Sequence, residues 1–437
     1  MDQDGPTQPR ARTAPARRSG PRRPGFPALA GLAFLSAMVI ACIATLPWTL
    51  ALGPSGVPRY NEGDPGAGRL PPSWVPHSPE QVRRAVEAMP EERRAAIAAE
   101  VAARFGVEPG PLLLGMARDT DAARAFQEAL ERERPRALLG TDLLGRSLLL
   151  RALVGGGISL GIGFAAALIA VGIGTLYGAI SGYAGGLVDA VLMRIVDVLY
   201  GLPYILLVVL LAVASDAVVG EYVTRAHARA DWISQQVRAQ RDAGDFQETS
   251  SVESWLASNP ARAEALAARA LEAIPPRKID TATRAGLDVA TLLLAIGGVS
   301  WLTLARVVRG QVLSLKNQPF VEAARAAGAS PTRIFARHLL PNLLGPIVVY
   351  ATLTVPQAIL QESFLSFLGI GVKPPLPSWG NLAAEGLGEV NPYRSHWWLL
   401  AVPSGLLGTT LLALNFVGEG LREVLDPRRS ERTGADA

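Results

Sequence analysis

The sequence predicts an all-α integral membrane protein with six transmembrane helices, and three observations carry that prediction. Of its 437 residues 49% are hydrophobic and only 18% are charged, a greasier balance than soluble domains show. Apolar runs at 27–52, 155–181, 189–213, 287–308, 342–366 and 397–418 approach or exceed the roughly 20 residues that cross a hydrocarbon core about 30 Å thick. Lys and Arg gather before, between and after these runs in the asymmetric way that orients a multi-pass chain.

Taken in order, residues 1–26 are rich in Pro, Arg, Gly and Ser and lack apolar periodicity, so they read as a disordered basic tail. The first run passes through Val39-Ile40-Ala41-Cys42, which is similar to a lipoprotein cleavage box. It stays apolar through Ile43 to Leu52, where a cleaved leader would turn polar, and so it reads as a membrane helix. Residues 53–150 form a long loop in which Ser78-Pro79-Glu80 and Met89-Pro90-Glu91-Glu92 start helices. Runs two and three, within 151–213, join through Tyr183–Val188, a turn with no Lys or Arg. A second long loop, 214–286, has an Ala/Leu helical pattern over Ala261–Ala273. Runs four to six lie within 287–421 and include a basic hairpin at 309–341; residues 422–437 are a tail.

Arg10, Arg12, Arg17, Arg18, Arg22 and Arg23 precede the first run, and Arg422, Arg428 and Arg429 follow the last. Six Lys/Arg from Arg306 to Arg337 separate the fourth and fifth. The positive-inside rule therefore puts these segments, and both termini, in the cytoplasm. The two long loops then fall outside as helical extracytoplasmic insertions, because long loops translocate with little regard to charge.

The polar chemistry excludes several activities. A net charge of +4, carried mostly by Arg because Lys occurs only at Lys278, Lys316 and Lys373, suits membrane lipid or an acidic partner as well as nucleic acid. The single cysteine, Cys42, cannot build an intrachain disulfide framework. His77, His227, His338 and His396 are far apart and form no HExxH, so no metal site and no cofactor of the chain's own is expected. No GxxxxGK[ST] or GxSxG occurs, so no catalytic residue is assigned and the chain is not expected to be an enzyme. Gly161-Ile162-Gly163-Phe164-Ala165-Ala166 fits a dinucleotide pattern, but no soluble strand precedes it and it would lie in lipid. Energy for any active work must come from elsewhere.

Gly174, Gly178, Gly182 and Gly186 recur every four residues, and Gly157 and Gly161 repeat that spacing earlier. Such spacing clears one helix face for close approach of another helix. Asp189, Arg194 and Asp197 open the third run, where Arg194 and Asp197, three apart, suit an intramembrane ion pair; a gating role stays open, as it does for Glu362.

Val321 to Asn342, VEAARAAGASPTRIFARHLLPN, reads as a helix, a Gly328 bend and a second helix started by Ser330-Pro331. The pattern is that of a helix-turn-helix, but only about 30 residues separate two membrane runs here, too few for the helices a DNA reader needs around its recognition helix. No nucleic acid partner is expected. Glu322-Ala323-Ala324 with Gly328, Ile334 and Leu340-Pro341 resembles the EAA loop of membrane subunits of binding-protein-dependent ABC importers. Gly140-Thr141-Asp142-Leu143-Leu144-Gly145-Arg146-Ser147, Asp189 to Pro203, Ser363-Phe364-Leu365-Ser366-Phe367-Leu368-Gly369, Pro377-Ser378-Trp379-Gly380-Asn381 and Gly420-Leu421-Arg422 through Asp426-Pro427-Arg428 resemble the C-type permeases of dipeptide and oligopeptide importers. The resemblance covers roughly 140–213 and 286–429.

That resemblance implies a type I ABC importer permease fold in the bacterial inner membrane. It also implies a second permease subunit paired as a heterodimer, two cytoplasmic ATPases that bind ATP and Mg²⁺, and an extracytoplasmic solute-binding protein. Glu322, Ala323, Ala324, Arg325, Gly328, Leu340 and Pro341 are the residues it assigns to coupling with the ATPase. The family bet for solute is peptides, with nickel chelates and other small solutes open. Where the family has a short turn, about 70 residues from Ser215 to Ala285 intervene, as an accessory cap or as exposed decoration. A non-transporting membrane scaffold or signalling subunit is the alternative, while a proton-coupled carrier lacks titratable groups in runs two and four.

Overall fold

Long apolar stretches with no water to satisfy their backbone must close their hydrogen bonds within the segment, which leaves the α-helix as the available form here. The computed structural model describes residues 25–134, 137–240, 252–277, 280–391 and 395–425, and among them there is no strand, only isolated bridges at Leu52–Pro58 and Thr141–Ser147. Residues 1–24 with the basic tail, Lys278, and 426–437 with Arg428 and Arg429 lie outside the described residues.

Helix α1 is Phe26–Leu50. The first insertion holds α2 (Pro79–Glu87), α3 (Glu91–Phe105), α4 (Pro109–Leu113) and α5 (Thr120–Glu133). Then come α6 (Leu148–Ala184), α7 (Gly186–Tyr200) and α8 (Tyr204–Thr224). The second insertion holds α9 (Ala226–Gln240), α10 (Val252–Ser258) and α11 (Pro260–Ala273). Helices α12 (Thr281–Leu315), α13 (Pro319–Ala326), α14 (Pro331–Ile334), α15 (Leu340–Phe367), α16 (Trp379–Leu387) and α17 (Trp398–Leu425) complete the chain. Six are long and apolar enough to span a membrane: α1, α6, α8, α12, the continuous Pro331–Phe367 and α17.

Local chemistry sets the ends. Ser78 and Gln81 form a reciprocal capping box ahead of α2, and Gly106, at φ +68°, stops α3. Each insertion buries its own small core, Met89, Ile97, Val101, Phe126 and Leu130 in the first, Val237, Trp255 and Leu266 in the second.

The third span differs from the sequence expectation of 189–213. Apolar residues continue from Val198 to Val213, but Gly201-Leu202-Pro203 breaks the backbone between α7 and α8. Pro203 has no N–H to donate and disfavours helical dihedrals at Leu202, so the chain restarts at Tyr204 and the span ends at Thr224, beyond the expected boundary at 213. Asp189, Arg194 and Asp197 therefore lie on α7, ahead of the span.

Helix α6 packs along α12 and α15, and the bundle core between them holds Ile162, Ala166, Ala170, Ala295, Ile296, Val299 and Ala358. Gly174, Gly178 and Gly182 make the α6–α12 contact. A Cβ on Gly174 would stand 2.9 Å from both Leu304 Cβ and the Trp301 carbonyl oxygen, and one on Gly182 would stand 2.9 Å from the Arg309 carbonyl oxygen and Val312 Cβ. At Gly178 the Ala305 carbonyl oxygen is nearer still. The other three glycines of the expected series do not share this face. Gly161 borders open space, Gly157 meets only Cys42 Cβ at 3.8 Å, and Gly186 lies past the end of α6 at φ +55°. Close contacts in the first half of α6 fall instead at Gly155 and Gly156, under Ser378 and Trp379, and at Gly163, under Ile359. The four-residue register fails there because those partners come from the α15–α16 segment, which crosses α6 elsewhere on its surface.

Candidate functional site

The EAA-like hairpin is built on the end of α12. Lys316 Nζ donates to the Gly182 carbonyl at 2.8 Å, fixing the start of the hairpin to α6. Pro319 sits in the first turn of α13, where its missing N–H costs no bond, and Val321 is the anchor, fully buried among Ala179, Val308, Val312, Ile334 and Leu339. Burying that side chain is worth about 1.5–3 kcal/mol. Glu322, Ala323, Arg325 and Gly328 are exposed, Ala324 is half-buried, and Gly328 turns the chain at φ +78°. The surface of α13 thus presents small side chains flanked by one acid and one base, a shape that fits a groove.

Ser330 caps α14, and a π-helical turn at Phe335–Leu339 joins it to α15 without a break. Burial follows that extra residue: Ile334 and Leu339 are five apart, whereas Leu339, Leu343 and Ile347 step by four, and all four face the same cluster. Leu340 is half-buried in the joint and Pro341 is exposed in the first turn of α15. The hairpin is therefore one rigid piece with the fifth span.

The expected Arg194–Asp197 pair does not form. Asp197 receives Arg306 NH2 at 2.8 Å, and Asp189 receives Arg309 Nε and NH2 at 2.5 Å each, with Ser181 Oγ donating to it as well. Local spacing could not show this, because the two arginines come from α12, more than 100 residues away in sequence. Together these contacts brace α7 across the α6–α12 end that carries the hairpin.

At the other end of α6 lies a charged network that sequence reasoning missed. Arg151, with its side chain 3% exposed, donates through NH1 to Asp142 Oδ2 and Glu385 Oε2, both at 2.6 Å, and through NH2 to Glu385 Oε1 at 3.0 Å. Arg146 Nε adds a 2.7 Å bond to Asp142 Oδ2 and its NH1 reaches Asn61 Oδ1 at 2.9 Å. Its one signal in the sequence was the Gly140–Ser147 motif. Beside it Arg69 grips Glu389 with two bonds, 2.7 and 3.0 Å, and His396 Nδ1 lies 3.0 Å from the same carboxylate. The Arg69 guanidinium holds the Glu389 carboxyl below its ordinary range, while burial pushes the His396 imidazole down against the pull of Glu389. These bonds clamp the first loop to the segment after α16.

Glu362 is fully buried and takes hydrogen bonds from Ser366 Oγ at 2.8 Å and Ser363 Oγ at 3.2 Å. Ser366 Oγ in turn accepts the Val372 N–H at 2.9 Å, so this group knots α15 to the loop ahead of α16. Among the described residues no cluster of three or more His, Cys, Asp or Glu is gathered for a metal.

A family model for the binding-protein-dependent transport system inner membrane component matches residues 174–431. The chain is also 38% identical over 291 residues to the oligopeptide transport system permease protein OppC of Haemophilus influenzae, covering 66% of this chain and 70% of that one. To the OppC protein of Escherichia coli K12 it is 40% identical over 291 residues, 66% of this chain and 72% of the relative. The dipeptide transport system permease protein DppC of Bacillus subtilis is 36% identical over 289 residues, 66% and 68% of the two chains. With six membrane-length helices and an EAA-like hairpin rigidly joined to the fifth, the chain belongs to the inner membrane components of binding-protein-dependent transport systems.

Proposed function

We propose that this chain is the permease subunit of an ABC importer for peptides or similar small solutes, forming half of the pore in a heterodimer with a second permease. Two cytoplasmic ATPases, holding ATP and Mg²⁺, supply the energy, and an extracytoplasmic solute-binding protein delivers the solute. Both termini and the α13 hairpin face the cytoplasm, while α2–α5 and α9–α11 face outward, where a delivering protein docks. The observation that carries the reading is the exposed Glu322–Gly328 surface, anchored at Val321 and followed, after the Gly328 turn, by Pro331–Phe367, which runs unbroken into a membrane span. A groove that closes on α13 turns the fifth span with it, because Val321 packs α13 onto Ile334 and Leu339 and α14 passes into α15 without a break. Relatives named for oligopeptide and dipeptide transport support peptides as the solute class.

The test is ATP-dependent uptake of a labelled tripeptide by the importer, purified with its partner subunits through a tag on this chain and reconstituted in vesicles. Ala323 is exposed, so Ala323→Arg leaves the fold intact and obstructs docking. Uptake is expected to fall by about tenfold or more, the equivalent of about 1.4 kcal/mol. Undiminished uptake refutes the coupling role, and an absence of any ATPase association with the unaltered chain leaves the scaffold reading.

A further inference from the structure

Helices α7, α8, α12 and α15 enclose a cavity of about 500 Å³, open on one side, within the size range of pockets that hold small molecules. Its polar lining includes Tyr204, Ser300, Thr303, Thr354, Gln357 and Gln361, together with the hydroxyl-bearing Tyr200 and Tyr350. None of these is ionised near neutral pH. The Tyr204 hydroxyl donates to Gln361 Oε1 at 3.0 Å and lies 2.9 Å from Ser300 Oγ, which leaves the Gln361 amide group with its N–H donors directed elsewhere.

Tyr350, Thr354, Gln357 and Gln361 all line the cavity from α15. Their spacing of four, three and four places them on one face, a stripe about 16 Å long at 1.5 Å per residue. An amide turned toward hydrocarbon costs several kcal/mol, so a stripe with two glutamines in a membrane span faces water or a ligand. The nearest cation on α12, Arg306, lies at the edge of the cavity one turn from Thr303, over the ring of the lining Tyr200 at 4.1 Å, and its charge is balanced by Asp197 at 2.8 Å.

We propose that this stripe is a solute-contacting wall of the transport path and that it binds the extended main chain of a peptide through uncharged hydrogen bonds. Side-chain amides and hydroxyls offer both donors and acceptors, the two kinds of partner that the N–H and C=O of every peptide require whatever its side chains. At about 3.3 Å per residue the stripe meets about five residues of extended chain at once. Solute charge then plays no part at this point of the path. The proposal rests on the peptide-importer reading, and deepens it by naming what the wall recognises.

The chain offers a clean test, because Cys42 is its only cysteine and is buried. In a Cys42→Ser background of the complete importer, Gln357→Cys and Gln361→Cys are treated with a charged, water-soluble thiol reagent supplied to both faces of the membrane. Both are expected to label, whereas Leu206→Cys and Leu210→Cys, on the exposed apolar face of α8, stay unlabelled. Trialanine and tripeptides containing Lys or Glu are each expected to slow labelling several-fold and to a similar extent. Unlabelled Gln357→Cys and Gln361→Cys overturn the proposal, as does protection by peptides of one charge only. Labelling requires no transport, so a complex that takes up no peptide fails the function test while still reporting whether the stripe is wet.

Discussion

Alanine at Gly178 tests whether the α6–α12 contact is set by absent side chains. Within a helix, Gly→Ala ordinarily stabilises by about 0.5–1 kcal/mol, since alanine loses less backbone freedom on folding. At Gly178 the new methyl has nowhere to go. It falls against the Ala305 carbonyl oxygen, with Arg309 N and Val308 Cβ each 3.0 Å away, and two of these three neighbours are backbone atoms that no rotamer change can move. Overpacking of that kind costs about 1–3 kcal/mol, so the two terms leave Gly178→Ala destabilised by up to about 2.5 kcal/mol. Gly161 is the internal control: a Cβ there meets nothing within 4 Å, so Gly161→Ala keeps the propensity gain and is stabilised. Thermal unfolding of the two variants in the same detergent, against the unaltered protein, reads opposite signs. Equal shifts for the pair, or a stabilised Gly178→Ala, would refute the argument that these helices are held at a distance only glycine permits.

Asp142→Ala strips the buried Arg151 and the half-buried Arg146 of a shared acceptor and is expected to cost about 3–5 kcal/mol, while Glu128→Ala, in an exposed pair with Arg132, changes the melting temperature little; similar losses for both would show that the Asp142 network carries no special weight. The Arg69–Glu389–His396 clamp is expected to weaken in acid. Both Glu389 and His396 have folded pKa values below their unfolded ones, so the unfolded chain takes up protons more readily, and stability declines first as pH drops below about 6.5 through His396, then again below about 4.3 through Glu389. His396→Gln should remove the first decline in a melting-temperature profile and leave the second; a profile indifferent to the substitution contradicts this assignment.

Composition and run length made the membrane helices legible, because a span must be apolar along its whole length. They could not show the break at Gly201-Leu202-Pro203, where hydropathy stays high while the backbone loses its donor. The α13 turn was legible for the opposite reason: Pro319, Gly328 and Ser330 each act within a few residues of themselves. Partners of Asp189 and Asp197 were hidden, since i,i+3 spacing offers only Arg194, and the arginines that bind them sit on a distant helix. The same limit hid the clamp of Arg151 to Glu385, two residues 234 positions apart. Gln357 and Gln361, by contrast, carried a readable signal, two amides on one face of an apolar run.

The π turn at Phe335–Leu339 gives the joint a surplus residue, and that fixes the phase between hairpin and span by counting. Projected back from Leu343 in steps of four, the buried register arrives at Phe335; the buried side chain is Ile334, one place earlier. Removing one of the five residues would close the turn to an ordinary helix with Ile334 and Leu343 still on the same side, whereas adding one to the plain α-helix on either flank would rotate everything beyond it by about 100°. A one-residue deletion is therefore absorbed at the π turn, whereas an insertion in the plain α-helix of Pro331–Phe367 swings the α13 surface away from the direction in which it meets its partner.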